Sequence, residues 1–263
     1  MKTAKDPDGN TNMATATLPT EARVVLQNVS WQEYDEYLQQ YEERRIRLTY
    51  DRGTLEIMIL SLGHEGFSYL LGRFVDVLTE ELNIPVKAGR STTFKREDLE
   101  RGLEADNCYW IQHERAMRGK RQFDGRRDPP PDLALETDIT SSSLNRMTIY
   151  AALKVPEVWR FNGMSLLVHV LVGDGKYEIR DRSAVFPFLP LAKVLRFLKE
   201  SENKDETSLV RSFRAWVRRS VLPIWQATRK GSSSTLPRTA RKRGNTSRSK
   251  RKRSRKQENG QGA

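Results

Sequence analysis

Apolar residues recur at helical spacing in several stretches of the chain. The clearest is Gly63 to Leu82, where they return every three or four positions and predict a long amphipathic helix. Ser30 is placed to cap a helix from Trp31 to Tyr41, because its hydroxyl can accept a hydrogen bond from an amide of the first turn. Two more helices are predicted over 191–199 and 207–218.

Short runs rich in apolar and β-branched residues predict strands between these helices. The runs 46–50 and 54–59 flank Asp51-Arg52-Gly53, a turn signal, and therefore predict a hairpin. Further strands are predicted over 85–94, 107–112, 132–139, 155–161, 165–172 and 176–181. A serine at 141–143 is placed to cap a helix that ends at Leu153, which predicts a parallel strand–helix–strand crossover.

The charge of the chain is concentrated at one end. There are 46 Lys and Arg residues against 34 Asp and Glu residues, a formal net charge of +12, and residues 229–263 hold 13 of the basic residues with one acidic residue. This tail and the polar start of the chain have almost nothing to bury, so they cannot offset the entropy lost on ordering. We predict a disordered N-terminal segment over 1–22, an α/β domain with a mixed β-sheet flanked by helices over 23–220, and a disordered basic tail over 221–263.

Several classes of protein are excluded by the composition. Cys108 is the only cysteine, which excludes a disulfide framework and a cysteine-rich zinc site, and it is interpreted as a packing residue. The three histidines share no metal-ligand spacing, and His64 is interpreted as a helix-start residue. No apolar run reaches the ~18 residues of a membrane-spanning helix. Because Met1 to Thr20 lacks the apolar core of a secretion signal, we expect a cytoplasmic protein with no membrane partner.

Candidate chemistry is concentrated in a row of acidic residues within the strand predicted over 132–139. Alternation along a strand places Asp132, Glu136 and Asp138 on one face. Carboxylates so close together repel one another, and a hard cation such as Mg²⁺ is one means of stabilising them. A solvated edge strand with an acidic face explains the same pattern, and the strand alone does not decide between these two hypotheses.

Two acidic residues elsewhere favour the magnesium hypothesis. Asp106 stands at the start of the strand predicted over 107–112, and Glu65 lies in the first turn of the long helix. The position of Glu65 is explained equally well by the attraction of a carboxylate to a helix N-terminus.

Four motifs together indicate a family. They are His64-Glu65 at a helix start, Glu104-Ala105-Asp106 before an aromatic strand, Pro131-Asp132-Leu133-Ala134-Leu135-Glu136, and Ile149-Tyr150-Ala151-Ala152-Leu153-Lys154-Val155-Pro156-Glu157-Val158-Trp159. Over roughly residues 25–200 the chain resembles the Uma-type putative restriction endonuclease family, a bacterial family within the PD-(D/E)xK nuclease superfamily. The last motif is the most specific of the four.

The resemblance implies a restriction-endonuclease-like fold and the hydrolysis of DNA phosphodiester bonds with Mg²⁺ or Mn²⁺. It assigns Asp106 and Glu136 as metal ligands, Glu65 as an assisting acid from the helix, and Asp132 as a supporting or structural residue. DNA would be the partner, and a homodimer is a candidate assembly because superfamily members that cut both strands are often dimers.

The chain also departs from the family pattern. Ala105 stands where the family usually has proline, and Asp138 stands where the superfamily has its catalytic lysine. Family members move this lysine to the following helix, and the matching position here is Arg146. Arginine stays charged and can clamp a phosphate but cannot take a proton, so we expect impaired cleavage. The alternative for Arg146 is an exposed residue in the first turn of a helix.

The basic tail and the departures leave three functions open. A metal-dependent endonuclease would use the tail, residues 229–263, to bind the DNA phosphate backbone without sequence readout. A protein that binds nucleic acid on a nuclease scaffold without cutting it would explain Arg146 and Ala105. A sugar hydrolase with two acidic groups is the third hypothesis, and its activity would be independent of metal.

Overall fold

The structure is a computed structural model that describes residues 22–41, 46–139, 144–173 and 175–233. Most of the two segments predicted to be disordered, and the serines predicted as a helix cap at 141–143, lie outside these residues. None of the helices in the described part of the chain is long and apolar enough to cross a membrane.

The described residues form strands, mostly in consecutive groups, with helices between these groups and after the last of them. The strands are β1 (Ala22–Gln27), β2 (Ile46–Asp51), β3 (Thr54–Ile59), β4 (Lys87–Ala88), β5 (Thr93–Arg96), β6 (Arg101–Glu104), β7 (Asn107–Trp110), β8 (Leu133–Thr137), β9 (Glu157–Phe161), β10 (Leu166–Val172) and β11 (Lys176–Arg180). The helices are α1 (Trp31–Gln40), α2 (Leu62–Leu82), α3 (Glu114–Met117), α4 (Arg146–Ala152), α5 (Leu191–Glu200), α6 (Glu206–Trp216) and α7 (Leu222–Ser233). A π-helical turn, Val217–Val221, joins α6 to α7.

The strands are divided between two sheets. The first sheet has the order β1-β3-β2-β6-β5, and its described pairs are antiparallel. The second has the order β11-β10-β9-β8-β7-β4, in which β8 and β9 are parallel and the other described pairs are antiparallel. Because α4 connects β8 to β9, the predicted crossover is confirmed, as are the β2–β3 hairpin and the mixed α/β fold.

The long helix α2 is central to the core of the second sheet. Its buried residues Leu70, Leu71, Phe74 and Leu78 follow the predicted helical spacing. Phe74 stacks on Phe213 of α6 with ring centroids 4.2 Å apart. Each such side chain contributes roughly 1.5–3 kcal/mol on burial, so the apolar face of α2 fixes the helix against the sheet.

Side-chain caps fix the starts of two helices. Ser30 and Glu33 form a capping box, in which the Glu33 amide donates to Ser30 Oγ at 3.2 Å and the Ser30 amide donates to Glu33 Oε2 at 2.7 Å. At α4, Asn145 Oδ1 accepts a hydrogen bond from the Met147 amide at 3.2 Å. The helix predicted after 141–143 is confirmed, but it begins a few residues later with asparagine as its cap.

The strand predicted over 85–94 is wrong as a single element, because β4 and β5 belong to different sheets. Gly89 approaches β7 so closely that a Cβ there would lie 2.5 Å from Cys108 Sγ. Arg90 follows with a φ of 50°, a left-handed conformation that turns the chain out of the second sheet.

Regular structure extends beyond the predicted domain limits of 23 and 220. At the N-terminal end, β1 pairs with β3 although no strand was predicted there. At the C-terminal end, α7 lies within the predicted tail and is anchored by Trp225, whose Nε1 donates to the Leu82 carbonyl at 3.0 Å and whose ring lies 4.9 Å from Phe188. The charge pattern does not reveal this anchor, because Trp225 stands among mostly polar and basic residues and its partners lie far away in the chain.

Candidate active site

Asp106 lies where the chain crosses from the first sheet to the second. Ala105 alone separates it from the end of β6, and β7 begins at the next residue. The Asp106 side chain is buried, and its Oδ2 accepts a hydrogen bond from the Thr137 amide at 2.7 Å. Asp106 is therefore fixed against the end of β8, next to Glu136.

His64 contacts the same carboxylate from the start of α2. Ser61 caps this helix by accepting a hydrogen bond from the His64 amide at 3.1 Å, which places the imidazole beneath the first turn. His64 Nε2 lies 3.3 Å from Asp106 Oδ2, and the histidine is fully buried. The interpretation of His64 as a helix-start residue is thus correct but incomplete.

The surroundings of Asp106 favour its anionic form. Burial alone would raise the pKa of Asp106, but the contact with His64 and its charge, followed by the Thr137 amide and the charge of Arg146, hold this pKa below its ordinary value. Asp106 is therefore a carboxylate at neutral pH.

Glu136 is held by Arg146 in a two-point ion pair. Arg146 Nε and Nη2 lie 3.1 and 2.8 Å from the two carboxylate oxygens of Glu136, and the Tyr150 hydroxyl also donates to Glu136. Arg146 also donates from Nη1 to Thr49 Oγ1 at 2.5 Å and from Nη2 to the Glu104 carbonyl at 2.7 Å. The guanidinium therefore joins β8 of the second sheet to β2 and β6 of the first.

Arg146 is an internal residue, so the alternative of an exposed first-turn arginine is wrong. Its side chain is 12% exposed. Burial would lower the pKa of Arg146, but the charge and hydrogen bonds of Glu136 act together with Tyr150 and the charge of Asp106, and the pKa is raised. Burial raises the pKa of Glu136, and the charge of Arg146 opposes this effect. The two side chains form a buried pair in which each charge stabilises the other.

An open cleft of about 190 Å³ lies beside Asp106. Its lining includes three arginines, Arg47, Arg73 and Arg90, and it also includes Glu65. Arg47 Nε lies 3.8 Å from Asp106 Oδ1, so the buried carboxylate faces a positively charged wall. The residues that line the cleft do not include Glu136 or Arg146.

Glu65 reaches the cleft from the first turn of α2. Its side chain is 44% exposed, and its Oε1 lies 4.0 Å from His64 Nδ1. The structure therefore brings Glu65, Asp106, Glu136 and Arg146 into one neighbourhood, with Glu65 at the solvent and Glu136 in the interior.

The other two acids of the predicted row have separate partners. β8 lies between β7 and β9, so the hypothesis of a solvated edge strand is wrong. Asp132 accepts hydrogen bonds from the amides of residues 111–113 at 2.6–3.0 Å and contacts the His113 ring nitrogen Nδ1 at 2.6 Å. Asp138 pairs with Arg160. Asp132 thus fixes a turn, in keeping with the structural role that the resemblance implied.

The acidic pair offers ligands suited to a hard cation, although no group of three or more His, Cys, Asp or Glu side chains in the described residues is arranged to hold a metal ion. Asp106 Oδ1 is on the Arg47 side, where the 3.8 Å separation is too long for a hydrogen bond. Glu136 supplies further carboxylate oxygens, although Arg146 now holds them. Mg²⁺ requires as few as one or two protein carboxylates and completes its shell with water, so Asp106, which lines the cleft, fits as a ligand, and Glu136 would join it on release from Arg146.

Sequence reasoning misses several residues of the site. Arg47 comes from β2, and His64 and Arg73 come from α2, so these residues meet Asp106 or its cleft only in the folded chain. Tyr150 lies in a motif on which the resemblance rests, but the motif alone does not show that its hydroxyl contacts Glu136.

The Val155-Pro156-Glu157-Val158-Trp159 motif has a structural explanation. Glu157 is fully buried and accepts hydrogen bonds from Trp159 Nε1 and Ser183 Oγ at 2.5 Å each. It also accepts from the Ala184 and Val185 amides at 2.6 and 3.1 Å. The motif therefore fixes a loop onto β9 and specifies the fold, while the chemistry lies elsewhere.

Comparison of the chain with known protein families shows a match over most of its length. A family model, Uma2, described as putative restriction endonuclease, matches residues 31–197, which include the whole acidic site and its cleft. No curated protein matches the chain.

Proposed function

The chain belongs to the Uma2 family of putative restriction endonucleases, and from this membership we propose that the cleft beside Asp106 hydrolyses DNA phosphodiester bonds with the aid of Mg²⁺ or Mn²⁺. The observation that carries the proposal is the position of Asp106. Its anionic carboxylate lies at an arginine-lined cleft and accepts a hydrogen bond from the amide of Thr137, the residue next to Glu136. A carboxylate pair beside a positive wall is suited to a phosphodiester and a divalent cation.

The arginine wall would bind the phosphate. A guanidinium presents planar donors that match two phosphate oxygens. Arg73 is already oriented by Tyr69, whose hydroxyl accepts from Nη1 at 2.9 Å and whose ring centroid lies 5.6 Å from the guanidinium carbon. Arg47 and Arg90 face the same cleft. Together they would hold the scissile group above Asp106.

Asp106 and Glu136 would hold the cation, which supplies charge stabilisation at the phosphoryl oxygens and lowers the pKa of attacking water. His64 and the Thr137 amide fix Oδ2 of Asp106, and Arg146 and Tyr150 fix Glu136. Contacts of this kind orient ligand oxygens before the substrate arrives.

Proton transfer distinguishes this site from one with a catalytic lysine. Arg146 cannot accept a proton, and it is bound to Glu136. Glu65, a partly exposed carboxylate in the lining of the cleft, would receive the proton of the water, directly or through solvent. The water oxygen forms a bond to phosphorus, the bond to the 3′ oxygen breaks, and solvent protonates the leaving oxygen. We expect slow turnover because no strong base contacts the water.

Plasmid nicking tests this assignment. Wild type, Glu136→Ala and Arg146→Lys are compared with Mg²⁺, with Mn²⁺ and with EDTA. We expect cation-dependent nicking by wild type, loss of nicking in Glu136→Ala and faster nicking in Arg146→Lys, since a neutral lysine amine can accept the proton of the attacking water whereas arginine stays charged. Nicking that persists in Glu136→Ala would contradict the proposal.

A second candidate function is the binding of nucleic acid without cleavage. The observation that favours it is that Arg146 donates hydrogen bonds to Glu136, Thr49 and the Glu104 carbonyl. A structural residue therefore occupies the position of the family lysine. Activity in Arg146→Lys, with none in wild type under either cation, would establish this candidate.

In either function, the basic tail would bind DNA and so bring the protein to its substrate. Residues 229–263 carry 13 basic residues and one acidic residue, and most of them lie beyond the described part of the chain. Binding to DNA in EDTA that disappears when 234–263 is deleted would support this role, and unchanged binding would contradict it.

A further inference from the structure

Four arginines line an open hollow of about 530 Å³ on the outer side of α6 and the π-helical turn. They are Arg211, Arg214, Arg218 and Arg219, and we refer to them as the arginine surface. Arg211, Arg214 and Arg218 follow one another at spacings of three and four residues, which places them on one side of the helix, and Arg219 directly follows Arg218 and lines the same hollow. The sequence continues from this surface without an acidic residue between Thr207 and Gln257, so the surface leads directly into the basic tail.

Two of the four arginines are fixed in place by acidic residues at the end of α2. Glu81 accepts from Arg214 Nη1 at 2.6 Å and from Arg218 Nε and Nη2 at 2.6 and 2.9 Å. Glu80 accepts from Arg214 Nη2 at 2.8 Å. Hydrogen bonds from Arg218 and Arg214 lower the pKa of Glu81, although burial opposes them. These contacts orient the guanidinium groups without removing them from solvent, since Arg218 remains 62% exposed.

The other two arginines, Arg211 and Arg219, are exposed and form no ion pair or hydrogen bond with a residue in the described part of the chain. Two fixed and two uncompensated cations in one hollow repel one another, and an anion with several oxygens would relieve this repulsion. Phosphate groups match guanidinium donors in charge and in geometry.

Helix α2 contacts both the arginine surface and the cleft. Arg73, Asp76 and Glu80 follow one another at three- and four-residue spacing and so lie on one face of this helix. Arg73 and Asp76 line the cleft, whereas Glu80 contacts Arg214. Seven residues of helix separate Arg73 from Glu80, about 10 Å at 1.5 Å per residue. A polyanion bound at the cleft therefore needs to extend only a short distance to reach the arginine surface.

We propose that the arginine surface binds the phosphate backbone of a nucleic acid whose scissile region occupies the cleft. A backbone is favoured over a lipid surface because the hollow offers no apolar side chain larger than Ala215. The apolar residues of α6 that could enter a membrane, including Leu209, Val210 and Phe213, are buried in the core. This binding requires no cleavage, so it can be measured in EDTA and can fail while the proposed hydrolysis stands.

The test is the salt dependence of binding by the full chain to a fluorescent duplex DNA in EDTA, measured by anisotropy. Each phosphate contact on duplex DNA contributes about 0.9 to the slope of log affinity against log salt. Replacing Arg211 and Arg219 with glutamine should therefore reduce the magnitude of this slope by about 1.8. The variant with Arg211→Lys and Arg219→Lys keeps the charges and should keep the wild-type slope.

A matched control removes two charges elsewhere. Arg121 and Arg182 are exposed and form no ion pair among the described residues, so Arg121→Gln with Arg182→Gln should leave the slope unchanged. An unchanged slope in the Arg211→Gln, Arg219→Gln variant, or an equal reduction in the control, would overturn the proposal.

Two further arms identify the ligand. A duplex RNA of equal length shows whether the surface prefers DNA, RNA or neither, and a reduced slope with either polymer supports backbone binding. Vesicles of anionic phospholipid form the other arm. If the glutamine variant loses vesicle binding while its slope on both nucleic acids stays at the wild-type value, the surface binds lipid and the proposal is wrong.

Discussion

His64 Nε2 lies 3.3 Å from Asp106 Oδ2, and both side chains are almost completely buried. This contact ties the start of α2 to the junction between the two sheets. The Thr137 amide contacts the same oxygen at 2.7 Å, which leaves Oδ1 on the Arg47 side. The contact with His64 therefore fixes the orientation of the Asp106 carboxylate relative to the cleft.

Substituting His64 should impair cleavage by misorienting Asp106. We expect His64→Ala to lower the nicking rate by about 10–100-fold, the range typical of residues that orient a ligand. Glutamine can still donate to Asp106, so His64→Gln should retain more activity than His64→Ala. His113→Ala, at a histidine outside the cleft lining, serves as the control and should nick at the wild-type rate. Equal rates for all three variants would contradict the positioning role.

Breaking the Glu136–Arg146 pair should destabilise the fold. Glu136→Ala leaves the guanidinium of Arg146 buried without its paired carboxylate, and we expect the free energy of unfolding in urea to fall by about 3–5 kcal/mol. The double variant Glu136→Leu with Arg146→Met removes both charges and should recover most of this loss. A Glu136→Ala variant as stable as wild type would show that Arg146 finds another partner.

Substituting Glu157 should destabilise the protein without changing the nicking rate of the folded protein. Glu157→Gln replaces one acceptor oxygen with an amide that cannot accept from its former donors, so we expect a loss of about 1–3 kcal/mol in the free energy of unfolding. The rate of nicking by folded protein should not change, because Glu157 lies outside the cleft lining. Glu178→Gln, on an exposed ion pair of β11, is the matched control and should cost less than about 1 kcal/mol.

Cys108 should report global unfolding. Burial raises the pKa of its thiol to about 12, and the side chain is fully buried. At pH 8 the thiol of the native protein is therefore protonated and inaccessible, whereas that of the unfolded chain is partly ionised and reactive. Labelling with a chromogenic disulfide should proceed at the unfolding rate and accelerate with urea. Rapid labelling of native protein would contradict the buried packing role of Cys108.

Local patterns predict the elements of this fold whose determinants are close in sequence. The β2–β3 hairpin depends on a turn signal, the start of α1 on the Ser30–Glu33 capping box, and the length of α2 on one apolar face. The split of 85–94 between two sheets escapes prediction because it results from the packing of Gly89 on Cys108. Local patterns also do not predict the anchoring of α7, because Trp225 contacts residues that are far away in the chain.

The sequence predicts which acidic residues belong to the candidate site, but it does not predict which residues contact them. Alternation along β8 places Asp132, Glu136 and Asp138 together, yet each is bound by a different element in the folded protein. The family resemblance identifies Arg146 as the residue at the position of the family lysine. Its ion pair with Glu136 depends on the position of α4 relative to β8 in the folded protein. Contacts of this kind depend on tertiary geometry that sequence spacing does not contain.

The most direct test of the account is the nicking of supercoiled DNA by wild type and Asp106→Asn in Mg²⁺ and in Mn²⁺. Asparagine preserves the shape of Asp106 and removes the charge on which cation binding depends. The account predicts nicked circles with wild type and none with Asp106→Asn, at equal protein concentration and with both proteins folded. Equal nicking by the two proteins would contradict the assignment of Asp106, and a wild type inactive with both cations would contradict the hydrolytic function itself.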